Sequence, residues 1–187
     1  MLPAETKHVF HDAQDLVDLF NNLFQERHRT ILVRGDAEPL YVPAKEAGAH
    51  HQLIFAHGFF ASALHEIAHW CIAGSKRRQC IDFGYWYQPD GRTLLQQKAF
   101  ESAEVKPQAL EWIFSVASQH SFRFSADNLN GAAGSSTSFK DAVWHQALAY
   151  LSGSMPRRAL HFCQALCCRY QTQFPLNVNF FPRPRDE

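Results

Sequence analysis

No stretch of this sequence approaches the ~18 consecutive apolar residues that a membrane-crossing helix needs. The N-terminal MLPAETKHVFHDAQDL has neither the basic start nor the apolar run of a secretory signal. Charge of one sign is also missing, because 18 basic side chains balance 18 acidic ones. Such a chain has no general electrostatic attraction to polyanions, so neither nucleic acid nor a membrane is expected as a partner. The run Lys76-Arg77-Arg78 reads as a solvated helix exit. Cysteine is sparse: Cys71, Cys80, Cys163, Cys167 and Cys168 are odd in number and contain no CxxC pair. A disulfide framework is therefore not expected, and a reducing, cytoplasmic setting is. Cys163 and Cys167 share a helical face and read as small buried hydrophobes. Internal repeats and long linkers are absent. With 46% apolar and 19% charged residues over 187 positions, residues 1–187 are expected to form one domain.

Periodicity predicts a mostly helical α+β fold with a small sheet. Residues 12–27 place Leu16, Leu19, Phe20, Leu23 and Phe24 on one helical stripe. RTILVRG, PLYVPA and QLIFA (52–56) read as short extended pieces. A helix follows over about 61–73, with Gly74 as its stop and Lys76 to Arg78 where positive charge suits the helix dipole. CIDFGYWYQ (80–88) is aromatic and β-prone, and PDG after it is turn chemistry. A long helix is expected over about 100–118, with Pro107 in its first turn or two, where a missing N–H does little harm. NLNGAAGSSTS (128–138) reads as a flexible loop, and two further helices are expected near 139–152 and 157–170.

Within the second helix, His65-Glu66-Ile67-Ala68-His69 matches H-E-x-x-H. Positions i and i+4 lie one above the other on a helix, so both imidazoles can reach one ion. This composition would produce only about 0.03 such matches by chance. The plain alternative is two hydrogen-bonded histidines packed on a helix face. Glu66 sits beside His65, near enough to act on a metal-bound water or to orient a ligand. A third protein ligand is needed, because catalytic sites commonly use three and leave a position open. Glu101 and Glu104 open the next long helix and share a face. Glu104 is preferred, because Leu110 and Phe114 turn its side inward. His57 stands before Gly58, where pocket lining or turn packing suits it better than ligation. The block from Asp82 to Tyr87, with Asp90, could pocket a cationic side chain or simply feed the core.

From these residues alone, a zinc peptidase with Glu66 as general base is the first reading. Two histidines and a carboxylate also describe non-haem iron(II) oxygenases. A non-enzymatic binding module stabilised by a metal is the third.

The stretches FAHGFFASALHEIAHWCIAG, DFGYWYQPDGR and FESAEVKPQALEWIF closely resemble the bacterial elongation factor P hydroxylase family. The resemblance runs from GDAEPLYVPA through ADNLNG. It implies hydroxylation of the loop-tip lysine of elongation factor P after that lysine has received a β-lysyl group. It also implies a zincin-like arrangement around the metal helix and iron(II) with molecular oxygen as co-substrate. His65 and His69 match the family's histidine ligands, and its carboxylate ligand falls in FESAEVK, assigned here to Glu104. Glu66 then becomes a catalytic orienter or proton relay. In the rival gluzincin-type peptidase the metal would be zinc.

Overall fold

The structure is a computed structural model that describes residues 9–82, 92–125 and 136–185. Helix α1 (Ala13–His28) starts at Asp12, whose side chain accepts a hydrogen bond from the Gln14 backbone N–H. It buries Ala13, Leu16, Phe20 and Phe24, and stops at Arg29, which adopts the left-handed conformation. The chain then makes a three-stranded sheet of order β1-β3-β2, from β1 (Thr30–Arg34), β2 (Leu40–Val42) and β3 (His51–Phe55). β3 runs parallel to β1 and antiparallel to β2. Asn21 on α1 accepts the Leu32 N–H at 2.7 Å, which ties the outer side of β1 to the helix before it. β1 and β2 fall within the extended pieces expected from the sequence, and β3 starts one residue before QLIFA, at His51.

Phe55 leads into a short turn at Ala56–Gly58 and then into α2 (Phe60–Ile72). This helix is buried along most of its surface, with Ala63, Leu64, Ile67 and Ala68 fully enclosed. Its end differs from the expected glycine stop. Gly74 does not take a left-handed conformation. Instead the Arg158 guanidinium donates to the carbonyls of Trp70, Cys71 and Ala73 at 2.9, 3.1 and 2.7 Å. Arg78 also donates to the Ala73 carbonyl. Carbonyls left over at a helix end are satisfied by cations from elsewhere in the chain.

Helix α3 (Leu94–Ala117) begins well before the expected start near Phe100. A reciprocal capping box between Thr93 and Gln96 nucleates it. The first turns carry exposed Leu94 and Leu95, so the apolar stripe does not announce them. Pro107 consequently lies in the middle of the helix, not in its first turns. It withholds the hydrogen bond that the Ala103 carbonyl would otherwise receive. Helices α4 (Thr137–Ala149) and α5 (Arg157–Tyr170) follow, with Ser136 capping α4 and a π-turn at Tyr150–Ser154 between them. The expected loop at 128–138 lies mostly outside the described residues. So does the aromatic block beyond Asp82, and Asp90 with it. Asp82 itself bridges to Tyr41 in antiparallel fashion.

The architecture is therefore mostly helical α+β. Its core joins α1, α2, α3 and α5 through a ring cluster. Phe162 on α5 packs against Phe114, Phe20 and Phe24 with centroid separations of 5.1, 6.3 and 6.5 Å. Phe162→Ala is expected to destabilise the protein by about 3–5 kcal/mol, the range for emptying a large aromatic from a close-packed site. Chemical denaturation of the two proteins checks this. All five cysteines are free, with Cys163 and Cys167 buried in the same core.

Candidate metal centre

The helical spacing of His65 and His69 aligns their rings on one side of α2, with centroids 4.7 Å apart and Nε2 atoms 3.0 Å apart. The facing helix α3 brings Glu104 to the same point. Its Oε1 lies 3.2 Å from His69 Nε2 and its Oε2 lies 3.5 Å from His65 Nε2. One ligand atom from each of the three residues falls within a span of 4.8 Å. Among the described residues this is the one such cluster.

Three observations fit a transition metal here. Donors held about 2.1 Å from one ion at tetrahedral or octahedral angles stand about 3.0–3.4 Å from each other, close to the separations found. Glu104 is only 3% exposed, and its Oε2 is buried with no hydrogen-bond partner. A buried carboxylate oxygen in that state calls for a cation. The donor set of two imidazoles and one carboxylate suits zinc or iron(II).

The charge pattern agrees. Burial works against ionisation of Glu104, but the His69 charge and hydrogen bond, His65 and Gln108 together hold its carboxyl down to about 2. Burial would lower His65, yet the Glu111 charge and hydrogen bond, with Glu104 and Glu66 behind them, raise it to about 10. Glu66 goes the other way: burial raises it, because desolvation outweighs the neighbouring histidines.

The remaining expected site residues separate clearly. Glu66 is buried at 9% exposure and lines a cleft beside His69, walled by Tyr41, Leu53, Trp70 and Arg77. Glu101 does not join the cluster. Its Oε2 accepts from the Ser136 hydroxyl at 2.8 Å, so it supports the start of α4. His57 is exposed in the turn before α2, has a positive φ of 53°, and packs near Phe59. Asp82 is engaged by Arg77. A second cleft, bordered by Ala103, Lys106 and Pro107, also reaches His69.

Two residues were missed by reading the sequence. Glu111 accepts from His65 Nδ1 at 2.8 Å. Gln108 exchanges hydrogen bonds with the Ser125 backbone at 2.6 and 3.1 Å and supports the Glu104 carboxylate. The available signal was the helical register: Glu104, Gln108 and Glu111 follow at steps of four and three, which is one face of α3.

The sequence profile of the elongation factor P hydroxylase family matches residues 19–181. A protein of Haemophilus influenzae described as elongation factor P lysine hydroxylase is 46% identical over 171 residues, covering 91% of this chain and 96% of the relative.

Proposed function

The chain belongs to the elongation factor P hydroxylase family, and from that membership we propose that it is a metal-dependent hydroxylase of the β-lysylated lysine of elongation factor P. The observation that carries the metal dependence is the convergence of His65, His69 and Glu104 on one point. The ion we assign is iron(II), with molecular oxygen as co-substrate: one oxygen atom enters a C–H bond of the modified lysine, and the other leaves as water on two protons and two electrons from an external reductant. The setting we assign is the cytoplasm, where a translation factor acts. No helix among the described residues is long and apolar enough to cross a membrane. A zinc peptidase of gluzincin type finds no support in the names of the matching proteins.

His65 and His69 from α2 and Glu104 from α3 would hold the ion by three protein ligands. When bound, iron supplies the redox capacity that hydroxylation of an unactivated carbon requires. Two neutral imidazoles and one carboxylate lower the site's charge by one unit only, so the centre stays electrophilic. The cleft reaches His69, so a substrate could approach an ion held there from that side. Tyr41, Leu53 and Trp70 supply the apolar part of that cleft's wall, and Glu66, Arg77, Arg78 and Asp82 its charged part. Glu66 borders both the cleft and the histidines. Burial favours its protonated form, which equips its carboxyl oxygen to hold or pass a proton beside the reacting group.

Mass spectrometry of β-lysylated elongation factor P incubated in air with the iron-loaded protein and a chemical reductant tests this reading. The expected result is a gain of one oxygen on the modified lysine. Glu66→Gln should keep its metal and a measurable fraction of this activity, because deprotonating water is not the central step of a hydroxylation. In a peptidase the same substitution would abolish turnover. Oxygen-independent cleavage of unstructured peptides, with no mass gain on elongation factor P, would overturn the proposal.

A further inference from the structure

We propose that Glu111 is a positioning residue that sets the tautomer and the ring orientation of the metal ligand His65. The inference rests on the reading of His65, His69 and Glu104 as a metal centre. Glu111 Oε2 lies 2.8 Å from His65 Nδ1, the ring nitrogen that faces away from the other ligands. Both side chains are largely shielded, with 13% of Glu111 and 27% of His65 exposed. An ionised carboxylate can only accept, so the pair requires the proton on Nδ1. The Nε2 lone pair is then left pointing at the place shared with His69 and Glu104. A free imidazole spends time in either tautomer and can turn about its χ2; a metal ligand must do neither.

The helix geometry explains why one element performs both tasks. Glu104 and Glu111 stand seven residues apart on α3, which brings them to the same face two turns apart. One therefore meets the metal-facing side of His65 while the other meets its back. The negative charge behind the ring also makes the imidazole a stronger donor, and outer-shell partners of this type typically govern about 10–100-fold in metal affinity.

Competition titrations of the metal-free protein with zinc against a chromophoric chelator test the assignment. Glu111→Ala is expected to weaken zinc binding by about 10–100-fold. Glu111→Gln keeps an oxygen that accepts from Nδ1–H but drops the charge, so it should fall between alanine and the original protein. A second readout separates positioning from general support of the fold. In the zinc-loaded protein, the His65 Nδ1–H proton resonance should be protected from exchange with glutamate or glutamine at 111 and lost to exchange with alanine. Equal zinc affinity in all three proteins would overturn the role of Glu111. So would an unprotected Nδ1–H in the original protein. If the unsubstituted protein binds no zinc, cobalt or iron at all, the metal reading itself fails, and that outcome is distinct from a failure of Glu111 alone.

Discussion

Alanine at His65 or His69 is expected to reduce bound transition metal to background and abolish hydroxylation while leaving a folded protein. Each substitution removes one of three protein donors, and two remaining donors rarely retain an ion against competing water and buffer. The fold should survive because its stability comes from elsewhere. The core of α1, α2, α3 and α5 contains Phe20, Phe24, Phe114 and Phe162, none of them a ligand. Metal-dependent folding belongs to small domains whose apolar core is inadequate, which this chain is not. Some loss of stability is expected, since Glu104 stays buried with one fewer imidazole beside it. Elemental analysis after anaerobic purification, with circular dichroism melting on the same samples, checks both halves. A variant that loses its fold along with its metal would support a binding module in which the ion is structural. A pH dependence should accompany wild-type metal uptake. Without metal, His65 keeps its proton up to about 10, so a bound cation must displace a proton at neutral pH. Apparent affinity therefore rises with pH and weakens in acid, and proton release on binding should be measurable in weakly buffered solution.

The second large effect concerns the carboxylate. Glu104→Gln is expected to lose metal affinity severely, because the amide replaces the only anionic donor at the cluster. It also turns an N–H group toward two imidazole nitrogens that already stand 3.0 Å apart. Glu101→Gln, by contrast, should leave metal binding close to the wild-type value. Its side chain contacts the Ser136 hydroxyl at the start of α4, and a glutamine can still accept that hydrogen bond. Parallel titrations of the two variants decide the matter, and the reverse ranking would move the ligand role to Glu101. The contrast is informative because both residues lie on one helix, so they share helix stability, expression and much of the local electrostatics.

Much of this was legible in the sequence. The i, i+4 pairing of His65 and His69 is a property of one helix, so their proximity needs no knowledge of the rest of the fold. The same holds for the stripe on α1 and for the alternation in β1, where side-chain period identifies the element. The choice of Glu104 over Glu101 followed from helix-face reasoning, with Leu110 and Phe114 indicating the inward side. In the structure Glu104 meets the histidines and Glu101 does not.

Local pattern failed in identifiable places. The first turns of α3 carry exposed leucines and polar residues, so amphipathicity understated the helix, and the Thr93–Gln96 capping box was the sequence signal that mattered. Gly74 invited a glycine stop, whereas Arg158, far along the chain, caps α2 through its carbonyls. The helical register placed Glu111 on the face of Glu104, but nothing in it said that Glu111 would stand behind His65. Which residue of α3 meets which residue of α2 depends on the rotation of each helix about its axis. That rotation is settled when both apolar faces, the sheet and α5 pack together at once. By itself the sequence determined which side chains could serve a metal, because helical spacing is a local property. Only the tertiary structure decided that Glu104 reaches the histidines across the helix pair and that Glu111 stands behind His65, because the relative rotation and height of two helices are set by the core they share.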